Sequence, residues 1–277
     1  MDTQVILVTG ASSGLGKACA ERLAAQKPGK NGHRVYGASR RIAAQGEKHG
    51  DITMLPMDVD QDASVQNGVE FVLQQEERID VVINCAGYCL SGPVECTPLE
   101  EAKAQFETNF FGTLRVCQAV LPAMRAQRSG LIINVSSLAG LISTPFHGLY
   151  SASKYAVEGL SEALSMEVRP LGIRVVIVEP GDFRTAITAN RRRVTPDPVY
   201  SKNMECAVGV MAHDEQNGAY PEAMAHLVER IVNNGRVPRL RYIVGPPYET
   251  GALLLKRILP SRLFEWALGK YYKVEGI

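Results

Sequence analysis

The 277-residue chain lacks the patterns that tie a protein to several large classes of function. It has no excess of one charge: 30 basic side chains face 29 acidic ones, so no bulk field calls for nucleic acid or an acidic partner. Metal-ligand spacing is missing as well. The six cysteines, at 19, 85, 89, 96, 117 and 206, contain no Cys-x-x-Cys, and the five histidines no His-Glu-x-x-His. No uninterrupted apolar run approaches the ~18 residues of a membrane span. The first residues run straight into a strand, without the basic and apolar regions of a signal peptide. There is no internal repeat and no low-complexity stretch. These absences lead to the expectation of a cytoplasmic protein with reduced, buried thiols and no resident metal.

What is present is an ordinary folded composition, 45% hydrophobic and 21% charged, in a length that doubly wound α/β folds use as one domain. Residues 5–9 form a continuous β-branched and leucine run, the pattern of a central parallel strand. Gly10, Ser12, Ser13, Gly14, Leu15 and Gly16 follow, then a helix ending before a turn over 27–32. Glycines let the backbone approach a pyrophosphate, and the helix start offers free amides and a positive dipole end. The Gly-x-x-x-Gly-x-Gly spacing departs from the common Gly-x-Gly-x-x-Gly fingerprint. Further strands are predicted over 33–39, 53–57, 80–85, 131–135, 174–179 and 241–244, with helices over 62–77, 150–171 and, as two pieces, 99–128. Asn109 and Gly112 inside that last run predict a bend, with a packing break and a functional one left open. This alternation implies a parallel sheet covered on both faces.

Chemistry gathers at strand ends. Tyr150 and Lys154 lie one helical turn apart, and a cation beside a phenol favours its ionised form. Ser137, at the end of the strand over 131–135, is placed to donate to a carbonyl that the phenol protonates. The second strand ends in Ser39, Arg40 and Arg41, where an NAD site would carry a carboxylate. Two cations suit a 2′-phosphate and favour NADP over NAD. The rhythm fails over 181–239, an insertion placed to be a helical substrate lid with helices near 199–211 and 221–233. Arg191, Arg192 and Arg193 read as a solvated loop edge. The basic, amphipathic tail over 252–272 has three readings: subunit or core packing, which is the default, a pocket cover, or a membrane surface contact.

Together these motifs resemble the classical short-chain dehydrogenase/reductase family over residues 3–185. The resemblance implies a single Rossmann-type domain over 1–277 and direct hydride transfer between nicotinamide and a substrate carbon. It implies a catalytic tetrad of Asn109, Ser137, Tyr150 and Lys154: Tyr150 as acid or base, Ser137 orienting the carbonyl, Lys154 lowering the phenol's pKa and holding the ribose, Asn109 holding a relay water. It further implies cofactor contacts from the glycine loop and from Ser39, Arg40, Asp58, Val59, Asn84, Ala86, Gly87, Pro180, Gly181 and Thr185. Cys85 is the one change from the family's Asn-Asn-Ala-Gly turn, and Ser13 stands where some NADP-using members carry a basic residue. Lid and tail look most like the hydroxysteroid and retinol dehydrogenase branch, in particular 17β-hydroxysteroid dehydrogenase-like members, with Leu138, Leu141, Ile142, Pro145, Phe146, Leu149, Met204 and Met211 lining a pocket for a lipophilic ketone or alcohol. His147 in that loop reads as solvated in preference to touching a substrate oxygen. The family commonly assembles as dimers or tetramers. The functional expectation is an NADP(H)-dependent carbonyl reductase or secondary alcohol dehydrogenase. The alternatives are a cofactor-binding regulator without turnover and a sugar-nucleotide epimerase or dehydratase.

Overall fold

The computed structural model describes residues 3–26 and 32–276, so the turn expected over 27–32 falls almost wholly outside the described residues. In chain order the elements begin β1 (Gln4–Thr9), α1 (Gly14–Ala24), β2 (His33–Ser39), β3 (Glu47–His49), β4 (Ile52–Pro56), α2 (Asp62–Glu76), β5 (Val81–Asn84) and β6 (Leu90–Ser91). There follow α3 (Leu99–Phe106), α4 (Gly112–Gln127), β7 (Gly130–Val135), α5 (Gly148–Val168), β8 (Ile173–Pro180), α6 (Ile187–Asn190) and β9 (Arg192–Arg193). The chain closes with α7 (Pro198–Asn217), α8 (Pro221–Asn233), β10 (Arg241–Val244), α9 (Pro247–Ile258) and α10 (Ser261–Tyr271).

Eight strands form one sheet in the order β10-β8-β7-β5-β1-β2-β4-β3, parallel throughout except β3, which pairs antiparallel with β4. The order reverses at β1, and the cleft above such a switch point is where open α/β sheets hold ligands. Continuous apolar strands are explained by burial on both faces. Ile6, Val8 and Ile83 pack with α1 and α8 on one side, while Leu7, Val82 and Ile132 pack with α2, α4 and α5 on the other.

Three expectations need revision and a fourth is sharpened. β3 was not foreseen, because all three of its residues are exposed and carry no burial pattern. The run over 99–128 holds the two expected helices, and the irregularity between them is a π-helical turn, Glu107–Phe111, that joins α3 to α4 and carries Asn109. The insertion over 181–239 is not all lid, since α8 presents Met224, Leu227, Val228 and Ile231 to the sheet beside α1. Arg191 is not at a solvated edge. Its side chain is buried and paired with Glu215 of α7, while Arg192 and Arg193 are exposed and pair as β9 with β6.

Candidate active site

The loop after β1 is shaped by close approach. Gly10 has φ +69°, and a Cβ on Gly16 would lie 2.5 Å from the Gly10 carbonyl oxygen. Thr9 Oγ1 accepts from the Cys85 and Ala86 amides, both at 3.1 Å, locking this loop to the turn after β5. α1 then starts with no side-chain cap and no acidic residue in its first turn, so its leading N–H groups are left to an anion. These backbone donors over a cradle that a side chain would fill fit the pyrophosphate of a dinucleotide. Ser39 donates to Ser12 Oγ at 2.8 Å, holding the β2 end beside the loop, and Arg40 reaches Asp60 at 3.7 Å with most of its side chain in solvent.

A cavity of about 1050 Å³ runs from this loop to the C-terminal helices. It is lined by Gly10, Ser12 to Gly16, Ser39, Arg40, Arg41, Val59, Ala86, Gly87, Ser137, Leu138, Ile142, His147, Tyr150, Lys154, Pro180, Gly181 and Thr185 among the expected residues. Four expected residues stand off its surface. Asn84 is buried in a polar ladder, donating to Asn134 Oδ1 at 2.9 Å, with Asn134 donating to Ser161 at 2.9 Å; it ties β5 to β7 and α5. Asp58 forms a turn ahead of α2, accepting from the Asp60 amide at 3.2 Å. Phe146 sits in the left-handed region, φ 59°, its carbonyl accepting from the Gly92 amide at 2.8 Å, and the next residue, His147, takes the inward place. Asn109 lies one layer behind: its Oδ1 accepts from the Tyr88 amide at 3.0 Å, and its Nδ2 donates to the Tyr88 carbonyl and to Ser153 Oγ, both at 3.1 Å. Of the apolar residues expected to line the pocket, Leu141, Pro145, Leu149 and Met204 also stay away, whereas Met211 is there.

At the centre, Ser137 hydrogen-bonds the Tyr150 phenol, and Lys154 Nζ stands 5.9 Å from the Tyr150 ring centroid while donating to the Val135 carbonyl at 2.9 Å. Burial pushes the phenol well above its ordinary value, reinforced by Cys89 and opposed by the Ser137 bond. The expected lysine-driven lowering is therefore not the net outcome, and Tyr150 is a neutral donor at neutral pH. Burial lowers Lys154 to about 8, against the pull of Cys85 and Glu158. His147 is not solvated: it is buried, 3.4 Å from Cys89 Sγ and edge-on to the Tyr150 ring at 5.7 Å. Burial, then the Arg191 charge, drives it down to about 3, so it stays neutral.

The far part of the cavity brings carboxyls and tyrosines that no sequence pattern singled out together with apolar residues of the amphipathic tail, for which a pocket cover was one reading. Asp182, Asp214, Glu215 and Glu249 line it with Tyr248, Tyr271 and Tyr272, and so do Leu254, Leu255, Leu259, Phe264 and Leu268 of the tail. The Asp182 amide donates to Glu249 Oε1 at 2.9 Å, which brings the two carboxyls together. Burial raises both, and the facing Glu249 raises Asp182 further.

Residues 4–195 match the short chain dehydrogenase family. The chain belongs to that family. Among its relatives, the 3-ketodihydrosphingosine reductase of Bacteroides thetaiotaomicron is 40% identical over 277 residues, spanning 99% of this chain and all of that protein. A probable short-chain type dehydrogenase/reductase of Helicobacter pylori is 33% identical over 266 residues, 94% of each chain. A short-chain dehydrogenase from Streptomyces avermitilis superposes with a TM-score of 0.80 at 31% identity, covering 98% of this chain and 97% of that one. As a short-chain dehydrogenase the protein is an oxidoreductase with an NAD(P)-type site. The full-length relative is named for a ketosphingoid substrate, so the steroid and retinol branch expected from lid and tail is not the one supported.

Proposed function

We propose that the protein reduces a long-chain, lipophilic ketone to a secondary alcohol with NADPH, and that 3-ketodihydrosphingosine is its substrate type. The observation that carries this is the single cavity joining Ser137 and Tyr150 to tail leucines and to the carboxyls of Asp182, Asp214 and Glu249. A 3-ketosphingoid base has an alkyl chain for the apolar wall and an amine for the carboxyls; the relative named for that substrate matches over its full length.

The bound nicotinamide supplies the hydride. The glycine loop and the α1 start hold the pyrophosphate, and Ser39, Arg40 and Arg41 take the 2′-phosphate. Lys154, Pro180, Gly181 and Thr185 border the nicotinamide end. Ser137 donates to the ketone oxygen and fixes it against Tyr150, whose phenol delivers the proton as charge develops on that oxygen. Lys154, cationic below about pH 8, stabilises the resulting phenolate, and Asn109 keeps Ser153 and the Tyr88 backbone in place behind it. The segment before α7, α7 itself and the tail form the substrate side.

The test is cofactor consumption by the purified protein against short ketones, steroid and retinoid carbonyls and 3-ketodihydrosphingosine, with NADPH and NADH in parallel. Selective turnover of the long-chain amino ketone with NADPH is expected; turnover confined to steroids or short ketones contradicts the substrate reading. Arg40→Asp should move the NADPH/NADH preference by about tenfold, the size of ~1.4 kcal/mol of lost anion binding, and an unchanged ratio would remove Arg40 from the phosphate site.

A further inference from the structure

α9 and α10 are amphipathic helices of 12 and 11 residues, yet α9 buries no residue and α10 buries only Gly269. Amphipathic helices of folded domains normally put their apolar stripe into the core. Here polar bonds hold the hairpin down. Lys256 donates to Tyr155 Oη at 2.7 Å, Tyr271 to Asp214 at 2.7 Å, and Lys202 pairs with Glu275 at 2.7 Å. The apolar side chains are left outside: Ile258 is 64% exposed, Leu254 60%, Trp266 49% and Leu263 47%. Arg257, Arg262 and Lys270 stand exposed among them with no carboxylate in ion-pair range among the described residues. Arg262, Trp266 and Lys270 follow at i, i+4 spacing, which flanks an aromatic ring with cations along one helix face.

We propose that this hairpin docks the protein on an anionic lipid bilayer. Leucines and a tryptophan beside unpaired cations match an interfacial helix: the apolar groups enter the acyl boundary, the ring sits at headgroup level, and the cations meet lipid phosphates. A second copy of the chain fits less well, because a two-fold contact would bring two copies of the same cation-bearing face together. The surface is also continuous with the cavity. Leu254, Leu255 and Tyr271 are exposed and line it at once, so a copy seated there would cover the opening, whereas a bilayer feeds it. Docking stands on the tail alone; delivery of a lipid ketone from the bilayer rests on the proposed substrate.

Trp266 is the single tryptophan and reports directly on the contact. The full-length protein is mixed with vesicles of phosphatidylcholine alone or with an equal part of phosphatidylglycerol, floated, and its emission recorded. Co-flotation with the anionic vesicles and a blue-shifted emission are expected, weakened by salt. Ile258→Glu with Leu263→Glu should cut the floated fraction about tenfold or more while the melting temperature and NADPH binding hold. The proposal is overturned if the natural protein stays in the soluble fraction with both vesicles, if the double variant floats as before, or if that variant's only effect is to dissociate a dimer. Flotation needs no substrate, so failure of the ketone assay leaves the docking result readable on its own.

Discussion

The two ends of the cavity are built by different forces. The cofactor end hangs from β1, β2 and β5, which bury nearly every side chain, and its geometry is fixed by backbone: the close pass of Gly10 and Gly16, the Thr9 bridge, the start of α1. The outer wall of the substrate end is made by α9 and α10, which bury almost nothing and are held by side-chain hydrogen bonds and ion pairs. A cofactor that does not vary can be met by rigid backbone. A substrate face is set by side chains on elements whose exchange leaves the sheet intact.

That contrast can be broken or sharpened by substitution. The largest effect is expected from Tyr150→Phe, which removes the transferable proton and should lower turnover by about 10²–10⁴-fold with NADPH binding unchanged, read by steady-state kinetics beside a binding titration. Arg191→Met leaves the Glu215 carboxylate buried without its cation and should cost ~3–5 kcal/mol in denaturant unfolding. This tests whether the substrate end contains one rigid point, because the pair is the most buried ion pair described, with side chains 2% and 10% exposed. Ile83→Ala in the sheet should cost about 2–5 kcal/mol.

A pH dependence follows from His147. Its folded pKa is depressed from 6.5 to about 3, so the unfolded chain takes up a proton that the folded one refuses. Stability is present in full above pH 6.5 and is lost as pH falls toward 3; His147→Gln should flatten that slope when unfolding midpoints at neutral and mildly acidic pH are compared. The smallest effect belongs to Ile258→Ala in the tail, expected within about 0.5 kcal/mol of the natural protein despite losing as much apolar volume as Ile83→Ala.

The same division governs what was legible in the sequence. The strands and α8 could be bounded because their periodicity is set by burial, and Tyr150, Lys154, Ser137 and the glycine loop because chemistry fixes their spacing. β3 escaped because exposed residues carry no pattern. His147 and Arg191 were placed in solvent because nothing local says that a charge or an imidazole will be buried: their partners, Cys89 and Glu215, are 58 and 24 residues away. Asn84 showed the converse. The family resemblance implied a cofactor contact there, and Asn134 and Ser161, 50 and 77 residues distant, hold it as a buried structural link. Asp182 and Glu249 meet across 67 residues, a distance over which no motif operates.

The central claim is that Tyr150 protonates a long-chain ketone as the nicotinamide reduces its carbon. The most direct measurement is a single turnover with NADPH deuterated at the transferable position and 3-ketodihydrosphingosine, using the natural protein and Tyr150→Phe side by side. Deuterium on the carbinol carbon with the natural protein, and almost none with the variant, is the predicted result. Bound cofactor with no label passed to this ketone, or equal transfer by the two proteins, would contradict it.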